Sequence, residues 1–327
     1  MKTGLIIGKF MPLHNGHIAL IKFAKEKCDE LYIVLCYTEN DPIPGEMRKA
    51  WLNEVAGVHE GIILFPFEYD ETKLPNTSVS SRSVSLLWAE ALQQVLPKSP
   101  DIIFSSEPYG DYLAEYMNAS HLMYDVAREL VPVSATQVRE NAFEYWDHIP
   151  EFVRPYFIKK VAILGSESTG KSTITEKLAN HYNTTFVPEM ARDIVEHSDT
   201  CTSMDLRLIA TLHAKTILRK LPRANKLLFS DTDLNITRSY SKFLFRETLE
   251  VEQWIEDANR FDLYLFLETD CPYIQDGTRL IEFEREQLST SHKQQLVDAG
   301  IDFVTIKGNW DSRFDAACNI INGKFAL

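Results

Sequence analysis

The stretch GSESTGKS, residues 165–172, constrains the fold of this chain more than any other feature of its sequence. It fits the pattern G-x-x-x-x-G-K-[ST], and it lies between the apolar run VAIL and the helix-like run STITEKLANHY. Gly165 and Gly170 permit backbone angles that let several N–H groups converge on phosphate oxygens, and the start of a helix adds the positive end of its dipole. The stretch therefore predicts a phosphate-binding loop between a strand and a helix.

The residues around this loop indicate how a nucleotide is held. Lys171 is expected to reach the β- and γ-phosphates, and the Ser172 hydroxyl to help hold Mg²⁺. The run KLLFSDTD, 226–233, is an apolar strand that ends in two carboxylates. Asp231 would suit Mg²⁺ and Asp233 the acceptor hydroxyl, or the reverse. The predicted ATP-binding residues of this half are Gly165, Ser166, Glu167, Ser168, Thr169, Gly170, Lys171, Ser172, Thr173 and Arg279.

Two further segments of this half are candidates for the transfer reaction. Arg279, in QDGTRL, and Arg285 follow the strand LYLFLE. An arginine there is either a lid over the transferring phosphoryl group or a surface residue of a charged helix. In FVPEMARDIVE, Glu189 and Arg192 follow the predicted second strand of this half, and either is a candidate for binding a ribose.

A second strand–loop–helix unit opens the chain with GKFMPLHNGH, residues 8–17. His14 and His17 lie three residues apart at a predicted helix start, and Gly16 allows a ligand to approach closely. Such a pair donates N–H groups to phosphate oxygens and has no need to act as nucleophile or base, because a nucleotidyl transfer needs position and positive charge. A metal site would need at least one more ligand, and none is close in sequence.

A later segment, VPVSATQVRENAFEYW at 131–146, supports the same interpretation. It places Ser134, Thr136 and Arg139 at a predicted helix start, where serine and threonine are natural caps and the arginine projects within reach of a bound phosphate. A plain helix cap with a surface arginine is the alternative for this segment taken alone.

The order of elements predicts two α/β domains. Apolar strands alternate with amphipathic helices from the first residue, which is typical of an open parallel sheet with ligands at the carboxyl ends of its strands. The rhythm is interrupted by YWDHIPEFVRPYFIKK, 145–160, whose two prolines and several aromatic residues indicate a connector that packs down. The strand–loop–helix pattern then restarts, so the predicted domains are residues 1–157 and 158–327.

Composition limits the classes of function. Asp and Glu number 47 against 34 Lys and Arg, and the net charge of -13 argues against binding a nucleic-acid backbone. The five cysteines show no paired spacing and read as reduced thiols, which predicts a cytoplasmic protein. No apolar run approaches the roughly 18 residues of a membrane span, so no membrane association is expected.

The motifs together carry a resemblance. GxFxPxHxGH, followed about a hundred residues later by SxTxxR, resembles the nucleotidylyltransferase superfamily. Its junction to a phosphate loop through YWDHIPEFVRPYFIKKVAILGSESTGKST resembles the NadR-type bifunctional proteins, in which a nicotinamide-mononucleotide adenylyltransferase is joined to a ribosylnicotinamide kinase. The resemblance implies a Rossmann-like nucleotidylyltransferase domain followed by a P-loop kinase domain. The kinase would phosphorylate nicotinamide riboside with ATP and Mg²⁺, and the first domain would join the mononucleotide (NMN) to the AMP part of ATP and release pyrophosphate.

The resemblance also implies roles for residues of the first domain. Arg48, in PGEMR, and Trp88 are candidates for the mononucleotide, since a cation suits its phosphate and an indole face suits a nicotinamide ring. For Trp88, a core position is the alternative. The implied ATP-binding residues are Gly8, Lys9, Phe10, His14, Gly16 and His17, with Ser134, Thr136 and Arg139 on the other side.

Some members of the family begin with a helix-turn-helix repressor domain. This sequence starts directly on its first strand, so we expect no such domain and no DNA-binding role. A homo-oligomer is compatible with the resemblance, because the superfamily often assembles into multimers.

Two other functions stay open from the sequence. One is a different fusion, such as a pantetheine-phosphate adenylyltransferase-like domain with a nucleoside kinase, in which only the acceptor pockets would differ. The other is a nucleotide-sensing regulator that binds without turnover. The presence of His14, His17, Lys171 and Ser172 counts against a regulator.

Overall fold

The computed structural model describes residues 1–75, 81–191, 194–195, 201–271 and 282–327. It divides into two compact units, Met1–Arg154 and Pro155–Leu327, against a predicted border after Phe157. Within these described residues, each unit has one five-stranded sheet, and the strand pairs in both sheets are parallel. The predicted α/β class with parallel sheets is thereby confirmed.

The first unit has the strand order β3-β2-β1-β4-β5. The order reverses between β1 and β4, and a crevice forms at such a point outside the carboxyl ends of the two strands. The strands are Thr3–Gly8 (β1), Glu30–Tyr37 (β2), Ile62–Glu68 (β3), Ile102–Ser105 (β4) and Ser120–Met123 (β5). The helices are Asn15–Lys25 (α1), Gly45–Gly57 (α2), Arg82–Val95 (α3), Tyr109–Met117 (α4) and Ala135–Glu140 (α5).

The burial of its side chains determines whether a strand of this unit could be predicted from the sequence. The central strands β1 and β2 are almost continuously apolar and buried, as expected for parallel strands covered on both faces. The edge strand β5 has largely exposed side chains and no apolar run, and the sequence patterns did not predict it. Past α5, the connector packs down as predicted, because Trp146, Ile149 and Val153 are buried.

The second unit has the strand order β10-β9-β6-β8-β7, with the strand before the phosphate loop in the centre. The strands are Lys159–Leu164 (β6), Phe186–Val187 (β7), Leu227–Asp231 (β8), Leu263–Leu267 (β9) and Val304–Ile306 (β10). The helices are Lys171–His181 (α6), Ser203–Lys220 (α7), Leu234–Phe245 (α8), Gln253–Ala258 (α9), Glu282–Asp298 (α10) and Trp310–Phe325 (α11).

None of the helices in the described part of the chain is long and apolar enough to cross a membrane.

Candidate functional site

A cavity of about 610 Å³ lies at the carboxyl ends of β1 and β4 in the first unit. This is the crevice that the strand order creates. Except for Arg48, every residue predicted to bind a ligand in this unit lies on its wall: Gly8, Lys9, Phe10, His14, Gly16, His17, Trp88, Ser134, Thr136 and Arg139. Folding therefore brings together two motifs that are more than a hundred residues apart in the sequence.

The two histidines cap α1, and both line the cavity. Nδ1 of His14 accepts the Gly16 N–H at 3.1 Å, and Nδ1 of His17 accepts the His14 N–H at 3.3 Å. Because both Nδ1 atoms are acceptors, a neutral ring carries its proton on Nε2. A side chain on Gly16 would lie 2.9 Å from Cε1 of His14, so a small residue is required there. The pair thus offers two Nε2–H donors.

Both rings are neutral at neutral pH. Burial, and then the neighbouring His17 and Arg128, hold the pKa of His14 far below its usual value. Burial, followed by Arg128, lowers the pKa of His17 to about 3. The rings can therefore donate hydrogen bonds to phosphate oxygens at neutral pH, but they do not contribute fixed positive charge before a ligand arrives.

The cavity wall opposite the histidines comes from α5. Ser134 is its N-cap and forms a capping box with Gln137, with the Ser134 Oγ accepting the Gln137 N–H at 3.2 Å. Arg139 donates to Thr136 Oγ1 at 3.1 Å and to the Met11 carbonyl. Arg139 therefore joins α5 to the loop that carries the histidines.

Arg48 is not placed to contact a bound mononucleotide, in contrast to the role that the resemblance implied. Its side chain is 0% exposed, and it does not reach the cavity wall. It donates to the Lys9 carbonyl at 2.8 Å and to the Cys36 carbonyl at 3.3 Å, and it pairs with Asp41 at 2.7 Å. The carboxylate neutralises its charge, so we assign Arg48 to holding the loop after β1.

Lys9 and Trp88 lie on the wall next to this loop. Lys9 Nζ pairs with Asp41 at 3.2 Å and with Glu71 at 3.1 Å. Burial disfavours the ammonium, but hydrogen bonds to Tyr69, Glu71 and Asp41 outweigh it and raise the pKa of Lys9. Trp88 is half-buried, donates its indole N–H to the Pro75 carbonyl at 3.1 Å and packs edge-on against Tyr69. It is therefore a wall residue with part of its ring available to a ligand.

The phosphate loop of the second unit has the expected local geometry. Gly165 and Gly170 have φ of 145° and 83°, which are strained for any residue with a side chain. At Gly170 a side chain would also overlap the Trp310 ring. Lys171 begins α6 and donates to the Ser166 carbonyl at 3.0 Å.

Carbonyl groups of the loop are held by side chains from distant parts of the unit. Arg285 Nε donates to the Glu167 carbonyl at 3.0 Å, and Arg313 Nη1 donates to the Thr169 carbonyl at 2.9 Å. Turning carbonyl groups toward the protein favours the arrangement in which loop N–H groups face an anion. Arg285 and Arg313 are almost fully buried, so they support the loop from beneath. The sequence did not predict the role of Arg313 in holding the phosphate loop, because Arg313 and the loop are more than a hundred residues apart in the chain.

The two carboxylates after β8 have different positions. Asp231 is 1% exposed and lies in register with Ile163, just before the phosphate loop. Asp233 is fully buried as the N-cap of α8, where it accepts the Ile236 N–H at 3.0 Å and the Asn235 amide at 2.7 Å. Burial raises the pKa of Asp233, although these donors oppose the rise. The cap uses both carboxylate oxygens of Asp233, so we correct its predicted direct role at the acceptor hydroxyl.

Asparagine substitutions are expected to separate these two roles. Asp231→Asn should reduce phosphoryl transfer by about 10²-fold, because the charge beside the phosphate loop is lost. Asp233→Asn should stay within about threefold of wild type, because asparagine is an equally good N-cap and the Asn235 amide can rotate to donate or accept. Initial rates with a riboside acceptor, with melting temperatures as a check on folding, measure the difference. A folded Asp233→Asn protein without activity would restore Asp233 as a catalytic candidate.

A narrow cleft lies beside β7 and β8, and its walls include Glu189, His213, Thr232 and Tyr240. This cleft has a volume of about 30 Å³, room for no more than one or two water molecules, so it would have to widen before a riboside could reach Glu189 there. Arg192 and Arg279, the other two predicted ligand-binding residues of this unit, lie outside the described residues.

Two buried histidines of the second unit predict a loss of stability in acid. Burial is the main cause that lowers the pKa of His213 to about 4 and that of His292 to about 3. In the unfolded chain both would have a pKa near 6.5. Between these values the unfolded state binds more protons, so stability is fully present above about pH 6.5 and falls as the pH decreases, by at most about 1.4 kcal/mol per pH unit for each histidine.

The melting temperature should therefore drop between pH 7 and pH 5, and it should drop less in His292→Leu. Neither ring nitrogen of His292 has a hydrogen-bond partner among the described residues, so leucine removes the titration without removing such a bond. Thermal unfolding at half-unit steps of pH tests this expectation. Parallel curves for the two proteins would mean that His292 does not titrate on unfolding.

Comparisons with known proteins agree with this division. A family model described as "Cytidylyltransferase-like" matches residues 5–141, and one described as "AAA domain" matches residues 160–313. Fold, cavity and phosphate loop define the chain as a nucleotide-binding α/β protein in which a nucleotidylyltransferase-type unit precedes a P-loop unit.

Relatives identify the family more narrowly. The chain is 32% identical over 336 residues to the "Trifunctional NAD biosynthesis/regulator protein NadR" of Escherichia coli, covering 95% of this chain and 80% of that protein. The protein of the same name from Salmonella typhimurium is 33% identical over the same length. The chain belongs to the NadR family.

Two other matches extend this finding. The crystal structure of a NadR protein in complex with NR superposes with a TM-score of 0.78 at 26% identity, covering 100% of this chain and 96% of that one. The nicotinamide-nucleotide adenylyltransferase of Thermococcus onnurineus is 24% identical over 170 residues, covering 49% of this chain and 83% of that protein.

Proposed function

We propose that the chain catalyses two consecutive steps of NAD synthesis. The unit Pro155–Leu327 transfers the γ-phosphoryl group of ATP to nicotinamide riboside, and the unit Met1–Arg154 joins the resulting NMN to the AMP part of a second ATP. The observation that carries the proposal is the presence of two separate phosphate sites, one in each unit, in a member of the NadR family. The motifs of both sites are complete in this chain.

The adenylyl transfer needs position and charge neutralisation. The phosphate of NMN is already ionised at neutral pH and attacks the α-phosphorus of ATP, while pyrophosphate leaves with the electron pair of the broken P–O bond. The Nε2–H groups of His14 and His17 donate hydrogen bonds to phosphate oxygens as negative charge shifts toward the leaving group. Trp88 stacks on the nicotinamide ring, and Arg139 and Thr136 hold the phosphates from the opposite wall.

In the kinase step, the phosphate loop supplies the position and the positive charge. The loop N–H groups and Lys171 hold the β- and γ-phosphates while the 5′-hydroxyl of the riboside attacks the γ-phosphorus. The bond from that phosphorus to the β-phosphate oxygen breaks, ADP leaves with its electron pair, and the hydroxyl proton is released. Glu189, at the cleft beside β7 and β8, is the described candidate for binding the riboside, because its carboxylate can accept hydrogen bonds from ribose hydroxyl groups.

Mg²⁺ fits the residues beside the loop. Ser172 and Asp231 would hold it, because hydroxyl and carboxylate oxygens are the ligands that this hard cation prefers. When bound, it neutralises charge on the β- and γ-phosphate oxygens. Asp231 is almost fully buried at the carboxyl end of β8, in register with the strand that leads into the phosphate loop, and this position suits it as the second oxygen ligand.

A product assay tests the proposal. With nicotinamide riboside, ATP and Mg²⁺, the purified chain should form NMN first and then NAD and pyrophosphate. Turnover of phosphopantetheine or another nucleoside, with no NMN or NAD formed, would favour the different fusion. Nucleotide binding without any product would favour a regulator.

Three further properties stay predictions. The cysteine pattern predicts a location in the cytosol, the acidic charge predicts no binding to nucleic acid, and the superfamily resemblance is compatible with a homo-oligomer.

A further inference from the structure

Three cationic side chains line the cavity of the first unit in the described part of the chain: Lys9, Arg128 and Arg139. Two of them already have partners. Lys9 pairs with Asp41 and Glu71, and Arg139 donates to Thr136 and to the Met11 carbonyl. The positive charge that these two side chains can bring to a triphosphate is therefore partly committed to the protein.

Arg128 differs from both. It lies on the segment between β5 and α5, its side chain is exposed, and no described carboxylate comes within the 4.0 Å of an ion pair with it. It lines the same cavity as His14 and His17, and its charge contributes to the lowered pKa values of both histidines. Arg128 thus brings a guanidinium with no direct ion-pair partner among the described carboxylates to the cavity that the two histidines also line.

The side chain of Arg128 does not hold the turn in which this residue lies. The Arg128 N–H donates to the Asp125 carbonyl at 2.8 Å. The Asp125 carboxylate accepts the N–H groups of Glu129, Leu130 and Val131 at 2.8, 3.1 and 3.0 Å. Asp125 and Arg128 both have positive φ, 45° and 53°, which produces the sharp turn. Because the turn is held by Asp125, the guanidinium is left for a ligand.

We propose that Arg128 is a further catalytic residue of the adenylyl-transfer site, and that its guanidinium binds the β- and γ-phosphate oxygens of ATP that leave as pyrophosphate. The inference rests on the proposed function of the first unit. In the reaction, a phosphate oxygen of NMN forms the new bond to the α-phosphorus, and the bond from that phosphorus to the β-phosphate oxygen breaks. The negative charge that develops on the leaving pyrophosphate is matched by the fixed charge of Arg128.

Arg128→Ala should lower kcat/KM for ATP in adenylyl transfer by about 10²-fold or more. In the reverse reaction, from NAD and pyrophosphate, it should raise the KM for pyrophosphate, and the KM for NMN in the forward reaction should stay near wild type. Arg128→Lys should recover part of the loss, since lysine keeps the charge but not the two-pronged geometry. Glu129→Ala is the matched control, because Glu129 is an exposed neighbour on the same turn that does not line the cavity.

Pyrophosphate binding separates this inference from the proposed function. Calorimetric titration of pyrophosphate into intact Lys171→Ala protein, in which the phosphate loop is impaired, should show binding that weakens at least tenfold when Arg128→Ala is added. If wild-type protein makes no NAD but this difference is seen, the proposed acceptor is wrong and the role of Arg128 stands. Equal pyrophosphate binding, or an Arg128→Ala enzyme within threefold of wild type in kcat/KM for ATP, overturns the inference.

Discussion

Lys171→Ala is expected to reduce phosphorylation of nicotinamide riboside by at least about 10²-fold and to leave adenylyl transfer from ATP to NMN unchanged. Lys171 is the cation at the start of α6, and its ammonium donates to the Ser166 carbonyl within the phosphate loop. Its loss removes the charge that stabilises the transferring phosphoryl group. Rates of the two reactions, measured separately with riboside or with NMN supplied, give the comparison.

The matched control for this variant is Lys177→Ala. Lys177 is on the same helix, but its side chain is 51% exposed and pairs only with Asp311 at 3.8 Å among the described carboxylates. It should retain both activities. If Lys171→Ala loses adenylyl transfer as well while its melting temperature is unchanged, the assignment of the two reactions to two sites is incorrect.

Changing His17 is expected to have the opposite effect. His17→Ala should reduce adenylyl transfer by about 10²-fold or more and leave the kinase step intact, because an Nε2–H donor to the phosphates is lost. Alanine also removes the bond that His17 Nδ1 accepts from the His14 N–H at the start of α1. A lower activity of this variant alone could therefore come from a weakened helix start.

His17→Gln separates the two contributions. Glutamine at the third helical position can accept the same backbone N–H and so preserve the capping box, but it does not reproduce the imidazole donor. It should keep the melting temperature of wild type and still lose adenylyl transfer. His59→Ala, a histidine outside the cavity, should behave as wild type. Full activity of His17→Gln would show that the imidazole Nε2–H itself is not required, because only the amide of glutamine would remain as a donor.

The two phosphate sites could be predicted because the main ligand-binding residues of each lie in one contiguous stretch of sequence. In GKFMPLHNGH and in GSESTGKS, the strand, the loop and the helix start follow one another directly, so local spacing determines which groups face the ligand. The parallel order of the central strands was predictable for a similar reason, since buried apolar runs alternated with helices. The cavity wall from α5 depends on two long-range steps, the pairing of β1 with β4 and that of β4 with β5, and β5 was not predicted.

The remaining roles depend on partners that the sequence does not reveal. From the sequence alone Arg48 is a candidate ligand-binding cation, but in the structure it pairs with Asp41. From the sequence alone Asp233 is a candidate catalytic acid, but in the structure it caps α8 by accepting the Ile236 N–H. Arg128 and Arg313 carry no motif, and their positions follow from a turn shaped by Asp125 and from the packing of α11 beneath the phosphate loop.

The most direct test of two independent sites follows labelled phosphorus from ATP. Wild-type protein, supplied with nicotinamide riboside, should move the γ-label into the NMN half of NAD and the α-label into its AMP half. His17→Gln should place the γ-label in NMN and stop there, and Lys171→Ala should incorporate only the α-label, and only when NMN is supplied. Transfer of γ-label to riboside by folded Lys171→Ala protein, or loss of both transfers through either single change, would contradict the account.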